Sequence, residues 1–209
     1  MDPKEDKMNQ ILSAATSVFA ECGYAGARMD VIARRAGVNK ATIYYNIGNK
    51  EKLYEVVIQA TFGRELSQTG ERIRQTETPE EKIRVYVQGI ADALERNPAI
   101  PNIMMWEHAS GGKSLTDVIA VEIATLIRNL TAILDEGVTR GVFKKVNPML
   151  IQFMVVPGLM FYKTSSPIRN GHAAFPDEAR KLPASVSETF AKEMAAFILD
   201  GLKSTGPTA

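Results

Sequence analysis

The stretch RMDVIARRAGVNKATIYYNI, Arg28 to Ile47, with Asn49-Lys50-Glu51 behind it, decides the reading of this chain. A short amphipathic run ends at Ala36, Gly37-Val38 makes a turn, and a second run starts at Asn39. In the second run Ile43 and Ile47 lie one helical turn apart and can point inward with Val38. Lys40, Ala41, Thr42, Tyr44 and Tyr45 are left on or near the outer face. The plain alternative is a three-helix packing unit with an exposed tyrosine pair. A helix that buries two aliphatics and shows a lysine, two small residues and two tyrosines is better suited to the groove of DNA.

Each position offers chemistry for that use. Asn39 is a strong N-cap and leaves a positive helix end available to a phosphate. Lys40 can donate to guanine O6 or N7, and the Thr42 methyl can meet a thymine methyl. Ala41 has no bulk to hold the backbone off the base edges. The Tyr44 and Tyr45 hydroxyls can donate to phosphate oxygens, contacts that set register and not sequence. Asn49 caps a further helix whose first turn carries Lys50, a second phosphate clamp.

Gly23-Tyr24, Ile32-Ala33, Ala36-Gly37-Val38, Lys40, Thr42, Tyr44-Tyr45 and Asn49-Lys50-Glu51 together resemble the helix-turn-helix domain of the tetracycline-repressor (TetR) family. The resemblance runs from about Ile11 to about Ala60. It implies a dimeric, ligand-responsive DNA-binding regulator; no cofactor is expected. Three departures stand out. Ala27-Arg28 occupies the place of the family's Thr or Ser at the start of its second helix, so Arg28 replaces a phosphate-contacting hydroxyl. Ala41 stands where the family has glycine, and Tyr45-Asn46-Ile47 where it has Tyr-His-Phe, which puts Asn46 at a DNA-contacting position.

The bulk properties fit. The chain has 209 residues, 45% of them apolar, enough for one or two domains with a substantial core. Its formal net charge is only +1, but from Tyr24 to Lys52 there are six basic residues (Arg28, Arg34, Arg35, Lys40, Lys50, Lys52) against Asp30 and Glu51. A nearly neutral protein with one basic patch suits an anionic partner docking on one face. A non-specific architectural DNA binder, the main alternative, would be basic throughout. The single Cys22 excludes an internal disulfide and fits a reducing cytoplasm; no signal peptide or membrane-spanning run is apparent, so a cytoplasmic protein without membrane contact is expected.

The chain divides, on this reading, into a DNA-binding domain over 1–60, a helical domain over 61–203 and a disordered tail over 204–209. The first helix opens at Asp2-Pro3, buries Met8, Ile11, Leu12, Ala15, Val18, Phe19 and Cys22, and ends at Gly23. Leu53, Val56, Val57 and Ala60 form the inner stripe of a fourth helix that continues to about Gly63 or Thr69. Thr78-Pro79-Glu80-Glu81 is a capping box for a helix to about Asn97. A compact apolar segment, Ile103 to His108, is closed by Gly111-Gly112. Another helix runs from about Asp117 to Arg140, an all-round apolar one from Asn147 to Tyr162, and a last one is capped by Ser185 to Glu188. Thr164 to Pro183 reads as a long connection. There is no strand-period segment, so the expected fold is all-α.

Two features of the second half carry function. A helix apolar on every side needs cover on every side, from a partner subunit or, in a monomer, from a fully internal position. The resemblance to the tetracycline-repressor family, whose members pair two C-terminal helices per subunit, implies the helices headed by Asn147 and Ser185 as the homodimer interface. Tyr86, Met104, Met105, Trp106, Phe153, Met154, Met160 and Phe161 could line an adaptable apolar pocket for a small-molecule effector, with Glu107 and His108 as polar groups. Plain core packing is the alternative reading of the same residues, and Pro157-Gly158 predicts a kink beside them. Enzyme readings, including a helical enzyme carrying a DNA-binding-like domain, lack support. The chain has no phosphate loop, no nucleophile elbow and no paired metal ligands, its only histidines being His108 and His172. The expectation is a regulator, more specifically a repressor, that grips a palindromic double-stranded operator as a dimer and is released by a small apolar effector.

Overall fold

The computed structural model describes residues 3–183, 185–186 and 189–204, and every regular element among them is helical. The order is α1 (Pro3–Gly26), α2 (Met29–Arg35), α3 (Lys40–Asn46), α4 (Lys50–Ile58), a π-helical turn (Gln59–Gly63), α5 (Arg64–Arg74), α6 (Pro79–Arg96), α7 (Ile100–Ala109), α8 (Asp117–Thr139), α9 (Pro148–Gly171), α10 (Asp177–Arg180) and α11 (Phe190–Leu202). Two compact units result. One holds the chain up to Arg64 together with Asn97–Val121; the other holds Glu65–Arg96 and the chain from Glu122. The first unit thus takes in α7, a segment that the boundary expected near residue 60 leaves to the second domain.

In the first unit α1 is the spine. Ile11, Ala15, Val18 and Phe19 are buried along one side, as their spacing predicts. The helical run breaks at Gly23, whose φ of 68° and ψ of 178° belong to a region that favours glycine. The indole of Trp106 on α7 lies against this bare α-carbon, and its Nε1 donates to the Ala20 carbonyl at 3.3 Å. Phe19, Tyr24 and Tyr54 form an aromatic cluster, the Phe19 and Tyr54 rings edge-to-face with centroids 4.8 Å apart.

The fourth helix departs from its expected stripe for a geometric reason. The π-helical turn adds a residue between α4 and α5 and rotates the next helix by about one residue's angle. Leu53 and Val57 are buried as expected, but Ala60 turns outward while Phe62 and Gly63 turn in.

The second unit is built on α6, which packs on α9 and α11. Ile83, Val87, Ile90 and Leu94 of α6 meet a core that includes Val155, Leu159, Ile198 and Leu202. Asn147 caps α9, its Oδ1 accepting from Met149 N at 2.9 Å. The expected long connection after Tyr162 is instead helix as far as Gly171, despite Pro157 and Pro167 inside it. Ser165 and Thr164 bond back to carbonyls one turn earlier, and Arg169 donates to the Tyr162 carbonyl, which keeps this last stretch satisfied.

Of the expected caps, Asp2, Ser187 and Glu188 lie outside the described residues, and Thr189, at the N-cap of α11, makes no side-chain capping bond. Residues 205–209 of the expected tail also lie outside them. Ser204 is held, its N–H donating to the Val142 carbonyl at 3.2 Å beside an isolated bridge between Phe143 and Lys203. No helix among the described residues is long and apolar enough to cross a membrane.

Candidate nucleic-acid interface

The helix-turn-helix forms where its sequence places it. Ile32 and Ala33 of α2 and Ile43 of α3 are buried, so they lock the two short helices together. Gly37, with φ of 66°, supplies the left-handed turn, and Val38 N–H closes it on the Ala33 carbonyl at 3.0 Å. Asn39 caps α3 through Thr42 N at 3.3 Å, and Asn49 caps α4 through Lys52 N at 2.9 Å.

What α3 leaves outside is the face expected to meet DNA. Lys40 and Ala41 are exposed, Tyr44 is 46% exposed and Tyr45 90%. An aromatic side chain left almost wholly in water by its own fold has a large contact surface to offer a partner. The Lys40 ammonium sits 5.8 Å from the Tyr44 ring centroid. Asn46 differs from the expectation of an outward contact: its Nδ2 donates to the Thr42 carbonyl of its own helix at 2.7 Å.

The basic patch sorts into two groups that composition does not distinguish. Arg35 grips both carboxylate oxygens of Glu21, at 2.6 and 3.0 Å, and that hydrogen bond holds the Glu21 carboxyl below its ordinary range. Lys52 pairs with Glu55 at 3.1 Å. Lys50, expected to clamp phosphate, turns inward. Its Nζ donates to the Ala27 carbonyl at 2.9 Å and lies 4.4 Å from the Tyr24 ring centroid, and burial holds the ammonium below the usual lysine range. The reason is position: the first turn of α4 faces the junction between α1 and α2, where carbonyls of the broken helix need donors. Arg28 and Arg34 are exposed and have no ion-pair partner among the described residues. Arg28 stands at the N-cap of α2 in extended backbone and makes no capping bond, so its guanidinium is available to an anion.

The residues expected to line an effector pocket fall into both units. Met104, Met105, Trp106 and His108 belong to the first. There Trp106 is taken up by α1, and the exposed His108 bonds through Nδ1 to the Met104 carbonyl of its own helix at 2.7 Å. Glu107, 3% exposed, accepts the Tyr54 hydroxyl on Oε1 at 2.8 Å, a buried pair that sequence spacing cannot reveal across 53 residues. Tyr86, Phe153, Met154, Met160 and Phe161 belong to the second unit. Tyr86 is fully buried and donates to Gln152 Oε1, and Met160 is buried. Phe153 and Phe161 are instead exposed, at 67% and 64%, so within the chain α9 is covered on one side only. Leu150, Ile168 and the 70%-exposed Phe197 of α11 are large apolar side chains left exposed as well. No group of His, Cys, Asp and Glu that could hold a metal occurs among the described residues.

Comparison with known proteins finds two family domains along the chain. Residues 11–57 match the family described as "Bacterial regulatory proteins, tetR family", and residues 79–170 match "Tetracyclin repressor-like, C-terminal domain". The chain is 34% identical over 95 residues to the HTH-type transcriptional activator FasR of Mycolicibacterium smegmatis, across 46% of this chain and 43% of FasR. It is 26% identical over 161 residues to the HTH-type transcriptional regulator RutR of Escherichia coli (strain K12), across 77% of this chain and 76% of RutR. Among solved structures, the fatty acid degradation regulator FadR from Bacillus halodurans superposes with a TM-score of 0.72 at 24% identity, covering 98% of each chain, a likeness of fold.

Proposed function

Because the chain belongs to the tetracycline-repressor family and is a DNA-binding transcriptional regulator, we propose that it is a cytoplasmic repressor, not an enzyme, that binds a palindromic operator as a homodimer and leaves it when a small, largely apolar effector binds. The observation that carries the DNA part is the recognition face of α3, a seven-residue helix with one buried residue and with Tyr45 almost wholly exposed. Lys40, Ala41 and Thr42 read base edges, Tyr44 and Tyr45 donate to phosphates, and Arg28 with the N-terminal end of α3 at Asn39 binds phosphate beside them. Asn46 and Lys50 act at the edge of this surface, each already committed to a backbone carbonyl.

The exposed side chains Phe153, Phe161 and Phe197 support dimerisation through α9 and α11. A two-fold dimer sets two recognition helices about 34–36 Å apart, or a multiple of it, to meet successive major grooves. The effector acts through the second unit, where Tyr86, Met154 and Met160 lie within the matched C-terminal domain. A ligand that binds one conformation of the dimer better than another changes the separation of the recognition helices. Typical couplings of about 1–3 kcal/mol weaken DNA binding roughly 5- to 150-fold.

The test is selection of bound fragments from random DNA, repeated with a library of apolar small molecules, followed by transcription from the selected site. Enrichment of a palindrome, its loss with an effector and a rise in transcription on release are expected. A selected pool without two-fold symmetry, or transcription that falls on release, overturns the reading.

A further inference from the structure

Two clefts of the first unit meet at a shared wall formed by Tyr24 and Ser114. The inner one, about 250 Å³, lies between the end of α1 and α7, with Trp106 and Glu107 in its lining. The outer one, about 450 Å³, reaches Glu51, Glu55 and Asp117. Lys113 is the one cationic side chain among the described residues lining either. Glu55 is already paired with Lys52, which leaves Glu51, Glu107 and Asp117 to set the sign of the site.

Glu107 is the decisive residue. It is 3% exposed, and while its Oε1 accepts from Tyr54, its buried Oε2 accepts no hydrogen bond among the described residues. A buried carboxylate oxygen without a donor is costly, and native folds rarely keep one without a use. An ammonium brings three N–H donors and the opposite charge. The ring of Trp106 adds a face that attracts a cation, while that of Tyr24 already holds the Lys50 ammonium and offers the ligand apolar contact. The C-terminal ends of α1 and α7, where helix dipoles are negative, flank the inner cleft. The Tyr24 phenol registers the resulting field: burial first, then the carboxylates of Glu51 and Glu107, hold it above its ordinary range.

We propose that this double cleft is a binding site for a small aromatic ammonium ion, its head group on Glu107 and its ring against Trp106 and Tyr24. The site is contained in the first unit, its α7 side within residues 79–170 that match the C-terminal domain, and it is separate from the effector proposed for the second unit. Its occupant touches Tyr24, the ring that carries Lys50, and so sits one contact away from the junction of α1 and α2.

Trp106 is the only tryptophan of the chain, so its emission reports this cleft alone. The full-length protein, without DNA, is titrated with benzylamine and, in parallel, with the neutral benzyl alcohol. A saturable change for the amine with half-saturation at about 1 mM or below is expected, with at least about tenfold weaker binding of the alcohol because a charge-assisted bond is lost. Glu107→Gln should weaken the amine about tenfold and leave the alcohol unchanged. If that variant does not fold, Glu51→Gln, an exposed change at the mouth, should weaken the amine about threefold by the same criterion. Absence of a saturable signal, equal affinity for amine and alcohol, or amine binding indifferent to both substitutions overturns the proposal. No DNA enters the assay, so its failure is distinct from failure of the repressor reading.

Discussion

Lys50 donates its ammonium to the carbonyl of Ala27 across 2.9 Å, tying the first turn of α4 to the last residue before the recognition unit. The bond makes Lys50 a structural link, beside the DNA-contacting role proposed for it. Lys50→Ala should lower stability by about 1–2 kcal/mol, from a charge-assisted bond and a cation–π contact at a half-exposed site. DNA affinity should fall alike on operator and scrambled sequence. Denaturant melts paired with binding curves on both DNAs check this; an unchanged melting midpoint would show that the bond contributes nothing.

The patch of basic residues should separate into readers, phosphate binders and bystanders. Lys40→Ala should cost about 1–3 kcal/mol on the operator and relax preference at one base pair. Arg28→Ala and Arg34→Ala should weaken every sequence and reduce the salt slope by about one each. Arg35→Ala should do neither, since Glu21 holds its guanidinium by both oxygens. A salt slope as strongly reduced for Arg35→Ala as for Arg34→Ala would contradict the division.

Phe153→Glu or Phe161→Glu should convert a dimer into monomers without unfolding the chain. Each residue is mostly exposed within the subunit and loses little internal packing. Sedimentation equilibrium at micromolar concentration reads the outcome, and operator affinity should fall with the dimer. A wild-type monomer at that concentration would rule the interface out.

Stability should fall in alkali. Burial raises the Tyr54 phenol far above its ordinary value of 10, aided by its bond to Glu107 and by that group's charge; burial raises Tyr86 as well, against the opposing bond to Gln152. A phenol whose pKa is raised on folding contributes stability that is complete below pH 10 and lost above it, because the unfolded chain releases its proton first. The loss approaches about 1.4 kcal/mol per pH unit for each such tyrosine. Lys50 acts with the opposite sign, since its lowered pKa makes stability rise with pH, but only up to its ordinary value of 10.5. Urea midpoints measured from about pH 8 to about pH 12 should decline, and less steeply for Tyr54→Phe with Tyr86→Phe. Identical slopes in wild type and variant would refute the assignment.

The elements that the sequence determined by itself are those fixed by local chemistry. Asn39, Asn49 and Asn147 cap their helices because capping is a contact within one turn, and Gly37 turns where a positive φ is needed. Ile32, Ala33 and Ile43 are inside because a 3.6-residue period places them there. Apolar side chains on every side of α9 made it foreseeable that the subunit alone would leave some of them uncovered, though not which, Phe153 and Phe161 among others.

The tertiary structure alone decided what depends on partners distant in sequence. Glu21 removes Arg35 from the basic patch across 14 residues, and Ala27 turns Lys50 inward across 23. Tyr54 meets Glu107 across 53 residues, and Ala20 receives Trp106 across 86, which takes that indole out of the apolar group where composition would put it. Charge and hydrophobicity are properties of a residue, but availability is a property of its neighbours. A hydrogen bond or an ion pair is made at about 3 Å in space, whatever the separation along the chain.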